Sequence, residues 1–180
     1  MRIIAGKYKG RKLEVPKARE ARPTSEKVRE AVFSMLQNYM EGAKVADLFA
    51  GTGAMGLEAL SRGAASCIFS ENNISMQKIL AANIKSVGAD SPAELYRGDY
   101  RSAIDKTGTD VDIYFLDPPY SENALDEPIR LILSSLHYNS DTLFVLEHDR
   151  RVVVPEYEKL SVFREKRYGN TAITILGVNG

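Results

Sequence analysis

The stretch Asp47-Leu48-Phe49-Ala50-Gly51-Thr52-Gly53-Ala54-Met55-Gly56 decides the fold of this chain. It joins an apolar run, Val45 to Phe49, that is typical of a buried strand to a helical pattern over 55–62. Its glycines let the backbone turn tightly and approach a ligand. Glu71 lies 20 residues after Gly51, at the end of the next predicted strand, where a carboxylate can accept hydrogen bonds from ribose hydroxyls. The pattern predicts a nucleoside-binding site, and its spacing alone also fits a dinucleotide.

Two acidic residues are candidate cofactor contacts, and one of them, Asp47, favours a methyl-donor nucleoside over NAD. Asp47, at the end of the first predicted strand, can meet the ammonium of a methionine moiety, whereas in a dinucleotide site it would repel the pyrophosphate. Its alternative role is to accept a hydrogen bond that orients the glycine loop. Asp99 is placed to accept from an adenine amino group, and it can also be the N-cap of the helix that follows. The predicted contacts to S-adenosyl-L-methionine are Asp47, Phe49, Ala50, Gly51, Gly53, Gly56, Glu71, Asn72, Asp99, Tyr100 and Asp117.

A second motif, Asp117-Pro118-Pro119-Tyr120, follows the strongly apolar run Val111 to Leu116. The two prolines fix φ and remove two backbone donors, so the turn is rigid and rich in carbonyl acceptors. The Asp117 carboxylate and the Pro118 carbonyl can both accept from one amino group, and Tyr120 offers a face on which a base can stack. Two acceptors orient a weakly nucleophilic aromatic amine toward a methyl donor without a strong base. The motif therefore predicts methyl transfer to an exocyclic amino group of a nucleobase, with all four residues catalytic; its alternative is a plain Asp-Pro turn.

Strand-like and helix-like segments alternate from residue 44 onward, which predicts a mostly parallel sheet covered on both faces. Two strand-like runs at the end, Leu160 to Arg167 and Thr171 to Val178, are joined by a tight turn and add an antiparallel strand. We therefore predict an α/β, doubly wound, Rossmann-like fold in a single domain over 1–180. Its parts are a basic N-terminal hairpin arm over 1–23, a leading helix over 24–42 and a catalytic core over 43–180. The leading helix is expected to start after Thr24 or Ser25 and to continue its apolar face to Tyr39.

The first 30 residues are strongly basic although the whole chain is neutral. They hold ten Lys or Arg against four acids, a net charge of +6, so the other 150 residues carry −6. Two short strand-like runs, Arg2 to Ala5 and Lys12 to Val15, flank a glycine-containing turn and predict a basic hairpin. A basic arm on an acidic body suggests a polyanion partner; the alternative is a solvated surface. The predicted RNA-binding residues are Lys7, Lys9, Arg11, Lys12, Arg22, Thr24 and Lys27.

Other features exclude several classes of function. A single cysteine, Cys67, excludes an internal disulfide and a multi-Cys zinc site, and its apolar surroundings predict burial. No run approaches the roughly 18 apolar residues that span a membrane, and the N-terminus has no apolar signal core. We expect a cytoplasmic protein without a bound metal. His137 and His148 are not needed as bases and are predicted to be surface or structural residues.

With these motifs, the chain resembles the RsmD family of bacterial 16S ribosomal RNA guanine-N2 methyltransferases. The resemblance runs nearly end to end, and its N-terminal segments discriminate best because many amino methyltransferases share the glycine loop and the tetrapeptide. The segments that carry it are Met1 to Gly6, Gly10 to Leu13, Arg22 to Thr24, Lys27 to Glu30, Asp47 to Gly63, Asp117 to Tyr120 and Tyr168-Gly169.

The resemblance implies a class I S-adenosylmethionine-dependent methyltransferase with a seven-stranded sheet and an N-terminal hairpin. It also implies a substrate guanine in 16S rRNA, presented on the 30S subunit or on an assembly intermediate, and we expect the enzyme to act as a monomer. The family usually has a second acid two residues after the ribose-binding one, and here that position is Asn73. The adenosine contacts beyond Glu71 are therefore less constrained.

Three alternatives stay open at the level of sequence. The tetrapeptide does not choose among amino-bearing bases, so adenine N6 in DNA or RNA, or a guanine in another RNA, also fits it. An NAD-dependent oxidoreductase would use the glycine loop but would leave the tetrapeptide without a role. A non-catalytic RNA-binding module would use only the basic arm.

Overall fold

The computed structural model describes residues 1–16, 25–118 and 125–180. The helices in these ranges are α1 (Glu26–Met35), α2 (Ala54–Ser61), α3 (Ile74–Val87), α4 (Tyr100–Thr107) and α5 (Asp126–Ser135), with a 3₁₀ turn at Gln37–Tyr39. The strands are β1 (Lys44–Asp47), β2 (Ser66–Glu71), β3 (Ala93–Arg97), β4 (Ile113–Leu116), β5 (Leu143–Asp149), β6 (Leu160–Tyr168) and β7 (Thr171–Val178).

Polar side chains and glycines set the ends of the helices. The Ser25 hydroxyl accepts a hydrogen bond from the Val28 amide at 3.2 Å and is the N-cap of α1. Asn73 caps α3 in the same way, accepting from two amides of its first turn. Gly88, with φ +69°, ends α3 in the left-handed conformation that suits glycine. The cap at Ser25 is one of the two that the sequence predicts for the start of the leading helix, whereas the cap at Asn73 was not predicted.

The seven strands of the described ranges form one sheet in the order β3-β2-β1-β4-β5-β7-β6. All neighbouring pairs are parallel except those of β7, which runs antiparallel to both β5 and β6. The prediction of a mostly parallel sheet with one antiparallel strand is confirmed. Strand β4 begins at Ile113 rather than at Val111, and the Val111 carbonyl accepts from the Thr142 hydroxyl at 2.6 Å.

Both faces of the sheet are covered by apolar side chains. Alternate residues of a strand point to opposite faces, so Val45 and Phe115 pack with α1, α2 and α3, while Ala46 and Tyr114 pack with α4 and α5. Cys67 is completely buried in the first of these layers, as predicted. No helix within the described ranges is long and apolar enough to cross a bilayer.

The leading helix is shorter than predicted. It ends at Met35, and the 3₁₀ turn that follows carries Tyr39 out of the apolar face. Tyr39 is 42% exposed and contacts the ring of Phe163 edge-on, with the ring centroids 5.8 Å apart. The prediction that the apolar face of the helix continues to Tyr39 is wrong, because the 3₁₀ turn breaks the helical period.

The N-terminal hairpin is tighter than the sequence suggests. A single antiparallel bridge, Arg2 with Lys12, replaces the two extended strands that were predicted. Backbone bonds from Ile3 to the Arg11 carbonyl and from Gly10 to the Ile3 carbonyl close the turn. Gly6, with φ +82°, lies so close to the Ser61 carbonyl that a Cβ there would come within 1.7 Å of its oxygen. The hairpin is therefore held mainly by α2, and less by its own strand pairing.

Candidate active site

A cavity of about 570 Å³ lies at the carboxyl ends of the parallel strands, where ligands bind in open α/β sheets. Its wall includes the ends of β1, β2, β4 and β5, the glycine loop and the segment before α4. The cavity brings together many of the residues that the sequence predicts to contact the cofactor. Those on its wall are Asp47, Phe49, Ala50, Gly51, Glu71, Asn72, Asp99, Tyr100 and Asp117, together with Pro118 of the tetrapeptide.

Two carboxylates hold the glycine loop in shape. Asp47 accepts from the Gly56 amide at 3.0 Å, and Glu71 accepts from the Gly51 amide at 2.9 Å. The loop-orienting role considered for Asp47 is therefore present in the structure, and its contact with a methionine ammonium stays a prediction. Burial raises the pKa of Asp47 to about 7, with a further contribution from the negative charge of Glu71. A cation bound beside Asp47 would favour its ionised form.

Gly53 and Gly56, also predicted as cofactor contacts, do not line this cavity. A Cβ at Gly56 would come within 2.3 Å of the Phe69 ring, and one at Gly53 within 2.4 Å of a Leu80 methyl. Gly53 also adopts φ +82° at the N-cap of α2. These two glycines let α2 pack closely against β2 and α3, so their effect on the cavity is indirect.

Two aromatic rings line the cavity together with Asp99, the residue that the sequence predicts to contact adenine. The rings of Phe49 and Tyr100 are in tilted contact with their centroids 4.9 Å apart, and both line the cavity. Asp99 is the N-cap of α4, accepting from the Arg101 amide at 2.9 Å, and it also pairs with the Arg101 guanidinium. The capping role is therefore present, and the adenine contact stays a prediction. Asn73 is the N-cap of α3 and accepts from the amides of Ser75 and Met76.

Asp117 and Pro118 stand where β4 ends, and both line the cavity. Burial raises the pKa of Asp117 well above its ordinary value, and the carboxylates of Glu147 and Asp47 raise it further. Asp117 is thus in a site that opposes the accumulation of negative charge and favours a ligand that donates hydrogen bonds. Pro119 and Tyr120 lie outside the described residues.

The charge of the cavity distinguishes among nucleotide ligands. Among the described residues on its wall, five carry carboxylates and none is Lys, Arg or His. A dinucleotide pyrophosphate would meet repulsion there, whereas a sulfonium or ammonium group would be attracted. The five carboxylates belong to Asp47, Glu71, Asp99, Asp117 and Glu147.

The predicted RNA-binding residues are exposed where the structure describes them: Lys7, Lys9, Arg11, Lys12 and Lys27. Arg22 and Thr24 lie outside the described residues. The turn that carries Lys7 and Lys9 packs on the end of α2, where the Lys7 amide donates to the Ser61 carbonyl at 2.7 Å. Because α2 begins at the glycine loop, this turn and that loop lie at opposite ends of a helix roughly 12 Å long. The Arg11 guanidinium donates to the Ser86 carbonyl at the end of α3, so it has a structural role as well.

The two histidines do not line the cavity. His148 is buried and bonds through its ring to the Thr174 hydroxyl and the Asp149 carbonyl, and His137 bonds to the Gly108 carbonyl. Within the described ranges, no cluster of three His, Cys, Asp or Glu side chains could hold a metal ion.

Two important features are missing from the predictions based on sequence. One is Glu147, which lines the cavity beside Asp117. The sequence feature that could have indicated it is its position directly after the apolar residues of β5. Arg29 and Glu58 form a completely buried ion pair between α1 and α2. Both lie in segments that carry the family resemblance, but no local pattern distinguishes a buried charge from an exposed one on a helix.

The strand order and the acidic cavity together define a Rossmann-like class I methyltransferase fold. The family model described as Conserved hypothetical protein 95 matches residues 1–177, and the chain belongs to this family, the RsmD family. Ribosomal RNA small subunit methyltransferase D of Escherichia coli (strain K12) is 35% identical over 173 residues, covering 96% of this chain and 87% of that protein. YlbH of Bacillus subtilis (strain 168) is 38% identical over 184 residues, the whole of both chains. The solved structure of yhhF from Escherichia coli is similar with a TM-score of 0.89 at 32% identity, covering 99% of this chain and 97% of that one. The resemblance inferred from the motifs is thereby confirmed.

Proposed function

We propose that this protein transfers a methyl group from S-adenosyl-L-methionine to the exocyclic N2 amino group of a guanine in 16S rRNA of the small ribosomal subunit. The observation that carries the proposal is an acidic cavity whose wall includes Asp117 and Pro118 of the tetrapeptide. Membership of the RsmD family supports the RNA substrate.

The residues of the cavity fit the parts of this cofactor. Asp47 and the neighbouring carboxylates suit its ammonium and sulfonium, and Glu71 suits its ribose hydroxyls. Phe49 and Tyr100 supply an apolar wall near Asp99 for the adenine. When bound, the cofactor supplies an activated methyl group on sulfur.

The chain's own residues then orient the amine. The Asp117 carboxylate and the Pro118 carbonyl accept hydrogen bonds from the two N2 hydrogens. These bonds fix the orientation of the amino group and stabilise the positive charge that develops on its nitrogen. Transfer of the methyl group from sulfur to N2 would leave S-adenosylhomocysteine, and the methylated nitrogen would release one proton to water. No strong base is required, because a methylated aromatic ammonium is very acidic.

The basic turn and α1 fit the proposed RNA substrate. Lys7, Lys9 and Lys27 are exposed on the N-terminal part of the chain, and an extended polyanion can contact them while one of its bases enters the cavity. We propose that the substrate is the 30S subunit or its assembly intermediate, and that the enzyme acts as a cytoplasmic monomer.

Two measurements test the proposal. Calorimetry with S-adenosylhomocysteine and with NAD distinguishes the cofactors, and tight binding of NAD alone would refute it. Transfer of a labelled methyl group to naked 16S RNA and to 30S particles, followed by nucleoside mass spectrometry, identifies the product. We expect N2-methylguanosine; N6-methyladenosine in its place would assign the enzyme to adenine.

A further inference from the structure

Glu147 lies beside Asp117 at the same edge of the sheet. Strands β4 and β5 are parallel neighbours, and Leu116 is in register with Leu146. The next residue of each strand is therefore a carboxylate, and both carboxylates line the cavity. Neighbouring strands are roughly 4.8 Å apart, a separation at which two acidic side chains can contact one small planar ligand.

The two carboxylates interact electrostatically. After burial, the charge of Glu147 is the largest cause that raises the pKa of Asp117. Glu147 itself is half-buried, so its side chain remains accessible from the cavity. A ligand that donates adjacent hydrogen bonds would relieve the repulsion between the two groups.

Guanine has this arrangement of donors and adenine does not. The Watson–Crick edge of guanine presents N1–H directly beside the N2 amino group, whereas N1 of adenine is an acceptor. A base that enters an enzyme pocket is read on this edge. A carboxylate that faces N1 therefore accepts from guanine and repels the N1 lone pair of adenine or of 2-aminopurine.

We propose that Glu147 is a specificity-determining residue that accepts the N1–H of the target guanine while Asp117 and the Pro118 carbonyl accept from N2. This inference rests on the proposed guanine-N2 activity. Two acceptors that directly follow β4 and one in β5 then bind both donor groups of the guanine edge. The choice of guanine is made by a residue outside the tetrapeptide, which by itself does not distinguish amino-bearing bases.

The test changes both partners of the proposed bond: a base without N1–H replaces guanine in the substrate, and an amide replaces the Glu147 carboxylate in the enzyme. The guanosine that the wild-type enzyme methylates is mapped by mass spectrometry, and 30S particles are reconstituted with 2-aminopurine at that position. The analogue keeps the 2-amino group but has an acceptor at N1. Methyl transfer to both substrates is measured for the wild type, Glu147→Gln, Glu147→Asp and the matched control Glu94→Gln, whose side chain is exposed on β3. Calorimetry with S-adenosylhomocysteine checks that each variant is folded.

We expect the wild type, Glu147→Asp and Glu94→Gln to prefer guanosine by at least about tenfold. The amide of Glu147→Gln can donate to N1, so its ratio of guanosine to 2-aminopurine turnover should fall by about tenfold or more. Equal turnover of both substrates by the wild type would overturn the inference without reference to any variant. An unchanged ratio in folded Glu147→Gln would also overturn it while leaving guanine-N2 methylation intact. Absence of N2-methylguanosine from the wild-type reaction would overturn both proposals.

Discussion

The Glu58 carboxylate lies 3.7 Å from Nε of Arg29, and both side chains are completely buried. Glu58 also accepts from the amides of Ile4 and Ala5, at 2.8 and 3.0 Å, and from Arg62 at 2.7 Å. Arg29 in turn donates to the Arg2 carbonyl at 2.5 Å. One carboxylate therefore joins the N-terminal segment, the leading helix and α2.

We expect Glu58→Ala to lower the free energy of unfolding by about 3–5 kcal/mol, because it leaves the buried Arg29 charge without compensation. Urea denaturation measures the change. Glu30→Ala, on the exposed side of α1, is the matched control and should change stability by less than about 0.5 kcal/mol. A loss below about 1 kcal/mol in Glu58→Ala would show that the pair contributes little.

Asp47 predicts a pH dependence of stability in the protein without cofactor. Its pKa rises from 3.8 to about 7 on folding, so the folded state binds more protons between these values. Its stabilising contribution is complete below about pH 4 and is lost as the pH rises through about 7. Asp47→Asn removes this dependence. The free energy of unfolding of the variant minus that of the wild type should therefore increase by up to about 4 kcal/mol as the pH rises from 4 to 7.5. Urea denaturation across this range, with Asp90→Asn as an exposed control, checks the sign; a constant difference would contradict the assignment.

Gly56→Ala should destabilise the fold by roughly 1–3 kcal/mol or more, because the new methyl group would overlap the Phe69 ring. Gly177→Ala is the matched control, since a Cβ there meets its nearest atom at an ordinary 3.7 Å. Thermal unfolding of the two variants compares them directly. Equal melting temperatures would mean that α2 can shift without cost.

Asp117→Ala should retain binding of S-adenosylhomocysteine and lose methyl transfer by about 10²–10³-fold, as expected when an acceptor that stabilises developing charge is removed. Calorimetry and single-turnover transfer to 30S particles measure the two properties separately. Asp90→Ala serves as the exposed control. Full activity in Asp117→Ala would remove this residue from its proposed role.

Reversing the charge of Lys7 and Lys9 should weaken RNA binding and make it less sensitive to salt. If each lysine contacts one phosphate, the slope of log K against log salt should fall by about 1.4 for single-stranded RNA or slightly more for a duplex. Arg11 is left unchanged because it also bonds to the end of α3. Reversing the exposed Lys78 and Lys106 controls for net charge, and an equal effect of the two pairs would argue against a specific contact.

Much of the fold could be predicted from local patterns. The glycine loop, the cap at Ser25 and the apolar strands depend on local sequence, and the structure has them where the sequence predicts them. What could not be predicted depends on contacts between distant segments. The hairpin takes its form from Glu58 and Ser61, more than 50 residues away, and the closeness of Glu147 to Asp117 follows from the register of two strands.

The buried Asn83 side chain has a consequence for how this enzyme can be dissected. It accepts from the Glu14 amide and donates to the carbonyls of Glu14 and Thr52. The end of the N-terminal segment and the glycine loop are therefore bonded to the same side chain. A truncation that removes residues 1–16 would deprive the buried Asn83 of its bonds to Glu14, and the buried Glu58 of its bonds to the Ile4 and Ala5 amides. Loss of methylation by such a truncation would therefore report on the integrity of the catalytic domain, and the arm is not a detachable RNA-binding module.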